Sequence, residues 1–128
     1  MSAVQSITTK AQFDELISKT PHVVVQATAS WCGPCKAITP FYNKHADTLA
    51  VPDKYAFARF DTDDVPDLAF ELGVRSIPAF FFFENGDKAN SITGASPPAL
   101  KKAVEEAGQK ATGGGDAAAA PLKTDEEF

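Results

Sequence analysis

The spacing of apolar residues changes period several times along the chain, and each change marks an element. Thr9 and Gln12 stand at capping-box spacing, and Phe13, Leu16 and Ile17 then share one helical face until Pro21, which predicts a short amphipathic helix. Ala3 to Ile7, ahead of it, has the length of a short edge strand. Val23-Val24-Val25 opens a β-branched run ending near Ala29, the signature of a strand covered on both faces. After a tight corner at Ser30 to Cys35, Ile38, Phe41, Tyr42, His45 and Leu49 recur at three- and four-residue spacing, so a helix follows. Pro40 lies inside that helix and removes one backbone hydrogen bond, which predicts a kink about one turn past the cysteines.

Tyr55 to Phe60 reads as the next strand, ended by Asp61-Thr62-Asp63-Asp64. Asp64 as N-cap, Pro66 in the first turn, a buried stripe of Leu68, Ala69 and Leu72, and Gly73 as stop signal define a further helix. Ala79 to Phe83 is a continuous apolar strand, and Asn85-Gly86 is a hairpin pair that returns the chain as a more polar edge strand over Lys88 to Thr93. Ser96 and Pro97 start a last helix carrying Leu100, Ala103, Val104 and Ala107, expected to end at Gly108. The order β-α-β-α-β-α-β-β-α predicts an α/β fold, a central mixed sheet with helices on both faces. It accounts for residues 1–108 as one domain, as the length of 128 residues allows.

Residues 109–128 differ in kind. They contain Gly-Gly-Gly, four consecutive alanines and the ending Asp125-Glu126-Glu127-Phe128, with Leu122 and Phe128 as the only large apolar side chains. Such a segment adds little core and is expected to stay disordered. Two lysines against four acids leave it at −2 of the total net charge of −5. That charge, with no cluster of Lys and Arg, leaves no electrostatic footprint for nucleic acid or an anionic membrane and points to protein partners. The longest apolar run stops at Glu84, far short of the roughly 18–20 residues that span a bilayer. Met1 to Gln5 has neither the basic region nor the apolar stretch of a secretory signal, so a cytoplasmic protein is expected. A monomer is expected as well.

The only two cysteines, Cys32 and Cys35, fall at the corner between a strand and a helix. A bridge between them closes too short a loop to staple a fold, so their value is chemical or metal-binding. A Cys that opens a helix faces unsatisfied backbone N–H groups and the positive end of the helix dipole, both of which favour thiolate. Two intervening residues let Cys35 come round the first turn to the Cys32 sulfur, so a mixed disulfide formed at Cys32 can be attacked from within the molecule. Gly33 presents no side chain to an incoming segment, Pro34 fixes φ in the first turn where a missing N–H costs nothing, and Trp31 offers a broad apolar surface. Half of a zinc site and incidental cysteines are the other readings. Zinc needs four ligands, and the other soft donors are His22 and His45, the latter about three helical turns beyond Cys35. Pro78, directly before an apolar strand, reads on its own as the mark of a strand start, with Ile77 held extended.

With these residues in view, the sequence resembles the thioredoxin family. Trp31-Cys32-Gly33-Pro34-Cys35-Lys36 carries its complete active-site motif, Ile77-Pro78 matches its second signature, and Gly94 matches the glycine lining the substrate groove after the hairpin. The likeness runs from residue 3 to about 108. It implies a thioredoxin fold and a disulfide reductase with Cys32 as attacking thiolate and Cys35 as resolving thiol. Pro78 would be cis and face the dithiol, supporting the pairing of an extended substrate segment in a groove of Trp31, Ile77, Pro78 and Gly94. No cofactor or metal would be bound. Electrons would come from NADPH through a separate flavin-containing thioredoxin reductase, and disulfide-containing proteins would be the substrates.

The chain also departs from the family pattern. Gln26 stands six residues before the first cysteine, where a buried aspartate is common, and an amide cannot exchange protons near neutral pH. It is either a strand residue satisfied by a neighbouring backbone group or water, or a hydrogen-bonding partner near Cys35. Arg59 stands where a lysine is usual, and its guanidinium is expected to reach water or an acid such as Asp61 or Asp63. Ala27 and Thr28 replace bulkier residues, with Phe41, Phe57 and Phe80 to Phe83 expected to fill core volume elsewhere. A rival class is a binding or scaffolding module working through the groove or the tail, whose Glu-Glu-Phe ending resembles acidic-aromatic tubulin-like tails.

Overall fold

A computed structural model describes residues 3–112 and contains five strands and four helices among them. The elements run β1 (Gln5–Ser6), α1 (Lys10–Lys19), β2 (His22–Thr28), α2 (Gly33–Leu49), β3 (Tyr55–Asp61), α3 (Pro66–Leu72), β4 (Ala79–Glu84), β5 (Asp87–Thr93) and α4 (Pro97–Thr112). The order is the one the periodicity predicts. The sheet order is β1-β3-β2-β4-β5, with β1/β3 and β2/β3 parallel and β2/β4 and β4/β5 antiparallel.

β2 is the central strand, and Val23 to Ala27 are all buried because both sheet faces are covered. Alternation sorts the side chains into two cores. Val23, Val25, Phe81 and Phe83 face α1 and α3, where Phe13 meets the Phe83 ring edge-on at 5.2 Å between centroids. Val24, Phe57, Phe80 and Phe82 face α2 and α4, packed against Ile38, Tyr42, Leu100 and Val104. Apolar area leaving water on both faces is the main force holding the layers together.

Local signals set most of the boundaries. The Thr9 hydroxyl accepts the Gln12 N–H at 3.2 Å while the Gln12 side chain accepts the Thr9 N–H at 3.3 Å, completing the capping box. Gly73 ends α3 in the left-handed conformation at φ +71°. Asn85 and Gly86 both take positive φ in the β4–β5 turn, as the tight hairpin requires.

Four expectations shift. The regular part of the first strand is only Gln5–Ser6, although Ile7 still donates to the Arg59 carbonyl at 2.8 Å. The N-cap of α3 is Val65, not Asp64, because the Asp61 carboxylate takes the N–H groups of Asp63 and Asp64 and its carbonyl takes that of Val65. Phe41 is 47% exposed: the inner stripe of α2 is Cys35, Ile38, Tyr42 and Ala46, which turns Phe41 outward. The last helix passes Gly108 and reaches Thr112. Gly108 is a point of close approach and not a stop, since a Cβ there would lie 3.2 Å from Cε2 of Tyr55. Residues 109–112, expected to be disordered, thus belong to the helix, and the remainder of that segment lies outside the described residues.

Candidate functional site

Where β2 leaves the sheet, the Cys32 N–H turns back onto the Ala29 carbonyl at 3.2 Å and the chain enters α2. Cys32 is the N-cap of α2 with extended backbone angles, φ −87° and ψ 107°, and its sulfur accepts the Cys35 N–H at 3.2 Å. A cysteine sulfur therefore occupies the place usually given to a Ser or Asp oxygen, at the positive end of a 17-residue helix. Cys32 and Cys35 are joined by a disulfide with their Cα atoms 5.3 Å apart, so the structure holds the oxidised form.

The pair is largely covered. Cys32 and Cys35 are 4% and 1% exposed and pack with Ala29, with Ile77 laid against them. The surrounding surface is open: Trp31 is 69% exposed, and space around the position of a Gly33 Cβ is empty. The Ile77–Pro78 peptide is cis, and the Pro78 carbonyl accepts the Gly94 N–H at 2.9 Å. Gly94 has φ +98°, a conformation other residues rarely adopt, so a glycine is needed for this contact. The fold thus brings Ile77 against the dithiol and joins Gly94 to Pro78, while Trp31 stands exposed beside Cys32.

Behind Cys35 lies a hydrogen-bonded group. Gln26 is fully buried, and its Nε2 donates to Thr39 Oγ1 at 3.1 Å. Thr39 Oγ1 donates to the Cys35 carbonyl at 2.7 Å. Arg59 Nη1 donates to Gln26 Oε1 at 3.4 Å and to Asn43 Oδ1 at 3.0 Å. Gln26 and Arg59 are register partners on β2 and β3, so their side chains lie side by side. Arg59 pairs with neither Asp61 nor Asp63: its guanidinium turns to Gln26 and Asn43, while Asp61 accepts backbone N–H groups and Asp63 accepts Trp31 Nε1 at 2.8 Å.

Three of these residues escape a reading of the sequence by motif: Asp63, Thr39 and Asn43. Asp63 carries no local signal for its bond to Trp31. Thr39 and Asn43 do, since Cys35, Thr39 and Asn43 stand four residues apart on one helical stripe. Among the described residues no group of three or more His, Cys, Asp or Glu side chains is placed to hold a metal ion, and no helix is long and apolar enough to cross a membrane.

Comparison with known proteins agrees with this geometry. The thioredoxin family model matches residues 4–106. The chain is 43% identical over 110 residues to thioredoxin-like protein 1 of Schizosaccharomyces pombe, covering 84% of this chain and 38% of that longer protein. It is 40% identical to a thioredoxin of Malassezia sympodialis, covering 80% of this chain and 97% of the relative. Among solved structures, Plasmodium falciparum thioredoxin superposes with a TM-score of 0.76 at 36% identity, covering 80% of this chain and 98% of its own. The chain belongs to the thioredoxin family, and its Cys32–Cys35 disulfide is the centre of that family's dithiol–disulfide exchange.

Proposed function

We propose that the chain is a protein-disulfide reductase in which Cys32 attacks and Cys35 resolves. The observation that carries this is the position of Cys32: N-cap of α2, its sulfur already accepting a backbone N–H from Cys35, with the second sulfur one helical turn away. The N–H and the helix terminus favour a thiolate at Cys32 over the thiol.

In the reduced protein the Cys32 thiolate attacks one sulfur of a substrate disulfide. A Cys32–substrate bond forms, the substrate S–S bond breaks, and one substrate thiolate leaves and is protonated. Cys35 then loses its proton and attacks the Cys32 sulfur, forming the intramolecular disulfide and releasing the second substrate thiol. The sum is protein dithiol plus substrate disulfide giving protein disulfide plus two thiols. Trp31, Ile77, Pro78 and Gly94 provide the groove in which an extended substrate segment lies, and Gly33 and Pro34 leave the approach to sulfur clear. A flavin-containing thioredoxin reductase using NADPH regenerates the dithiol, which suits a reducing cytoplasm.

The test supplies reductase and NADPH and follows reduction of insulin by the full chain. Turnover is expected to vanish for Cys32→Ser, and Cys35→Ser is expected to accumulate a Cys32–insulin mixed disulfide. Undiminished turnover by Cys32→Ser would remove the assignment.

A further inference from the structure

We propose that Arg59, Gln26 and Thr39 form a one-way chain of hydrogen-bond donors ending on the Cys35 carbonyl, and that Thr39 and Arg59 are positioning residues for the resolving step. The inference rests on Cys32 as attacker and Cys35 as resolver. Its observation is the direction of three bonds: Arg59 Nη1 to Gln26 Oε1, Gln26 Nε2 to Thr39 Oγ1, and Thr39 Oγ1 to the Cys35 oxygen. Each member gives a proton toward the cysteine, and each bond polarises the next.

The far end of the chain is a cation without a carboxylate partner. Among the described residues Arg59 makes no ion pair, and its second contact is the neutral Asn43 amide. The near end meets a helix at a weak point. Pro40 has no N–H for the Lys36 carbonyl, so the turn after Cys35 lacks one backbone bond, and the Thr39 hydroxyl ties the Cys35 carbonyl beside that gap. The donor chain therefore couples β3 and β2 to the first turn of α2, where Cys35 must swing from thiol to bond-forming thiolate.

An amide, a hydroxyl and a guanidinium have nothing with which to accept a proton in the neutral range. The group consequently acts by holding Cys35 and favouring negative charge near it, not as a base. In the resolving step the Cys35 proton passes to a solvent base, the thiolate electron pair forms the Cys35–Cys32 bond, and the Cys32–substrate bond breaks with its electron pair leaving on the substrate sulfur. The charged residues nearest the dithiol in sequence or on adjoining elements are Lys36 on α2, Asp61 at the end of β3 in register with Thr28, Asp63 and Asp64 after it, with Asp63 bonded to Trp31, and Arg75 ahead of Ile77. Lys36, Asp63, Asp64 and Arg75 are exposed and Asp61 is half-buried, so solvent screens most of this set.

The test uses the reduced full chain and the aromatic disulfide 5,5′-dithiobis(2-nitrobenzoate), read by stopped-flow absorbance. The first chromophore released reports attack by Cys32, the second resolution by Cys35. Thr39→Val and Arg59→Gln are expected to slow the second release about three- to tenfold at pH 7, the scale of one net hydrogen bond, with the first release within about twofold. The pH profile of the second release is expected to move upward by about half to one unit, and Thr39→Ser to restore the natural profile. An unchanged second release in both variants, or equal slowing of both releases, would overturn the proposal. A natural chain that resolves this small disulfide yet never turns over insulin with reductase would refute the reductase reading alone.

Discussion

Tyr42 offers a direct measure of what pins the reactive helix to the sheet. Its ring is fully buried, and its hydroxyl lies 2.6 Å from the Ala58 carbonyl on β3 and 3.0 Å from the Val24 carbonyl on β2. One phenolic proton serves two acceptors on adjacent strands, so α2 is tied to the middle of the sheet two turns beyond Cys35. Tyr42→Phe keeps the ring and its contacts with Phe57 and Phe80, which stand at 5.6 and 5.4 Å between centroids, and removes only the oxygen. A buried bond lost in this way, with carbonyl oxygens left short of a donor, costs about 1–3 kcal/mol. With a urea m-value of ~1.5 kcal/mol/M for a domain of this size, the midpoint should fall by about 1 M with the slope unchanged. Burial drives the Tyr42 phenol well above its ordinary value of 10, with the bond to Ala58 opposing. A group raised on folding contributes fully below its unfolded pKa, so the deficit of the variant should be constant between pH 6 and 9. It should narrow above pH 10, where both chains lose the Tyr55 contribution but only the natural chain also loses that of Tyr42. A midpoint displaced by less than about 0.2 M would refute the view that this hydroxyl anchors the helix.

Because the Tyr55 ring lies 3.2 Å from the new carbon, Gly108→Ala should lower the melting temperature by a few degrees, whereas alanine at an unobstructed helical glycine would add about 1 kcal/mol of stability. Calorimetry decides the sign. Gly94→Ala forces an unfavourable φ of +98° where the loop bonds to Pro78, and should weaken insulin reduction chiefly through KM while leaving the reaction with the small aromatic disulfide near normal. His45 titrates below its ordinary 6.5: partial burial is the main cause, Glu105 opposes it, and Lys101 and Lys44 reinforce it. The unfolded chain therefore binds that proton first, and His45→Gln should gain stability relative to the natural chain as pH falls from 6.5 toward 5, by denaturation midpoints at each pH.

Much of this was legible in the order of residues. The capping box at Thr9, the stop at Gly73 and the turn at Asn85-Gly86 are local devices whose physics needs no partner. The dithiol was legible for the same reason, since strand, corner and helix place the sulfurs. What escaped depends on contacts between distant segments. Gly108 carries the composition of a helix end, and only the Tyr55 ring explains it within a helix. Arg59 has two acids nearby in sequence, yet its partners come from β2 and α2. The buried stripe on α2 runs through Cys35, Ile38, Tyr42 and Ala46, which leaves Phe41 outside it.

The burial of β2 on both faces bears on time as well as space. Between β3 and β4 its backbone groups lie in continuous ladders on both sides, which makes it the segment whose amides should exchange slowest with solvent and only on global unfolding. Four residues after that strand ends, the chain reaches Cys32. The reacting sulfur is thus cantilevered from the strand expected to open last, and its position should outlast local opening of the surrounding loops.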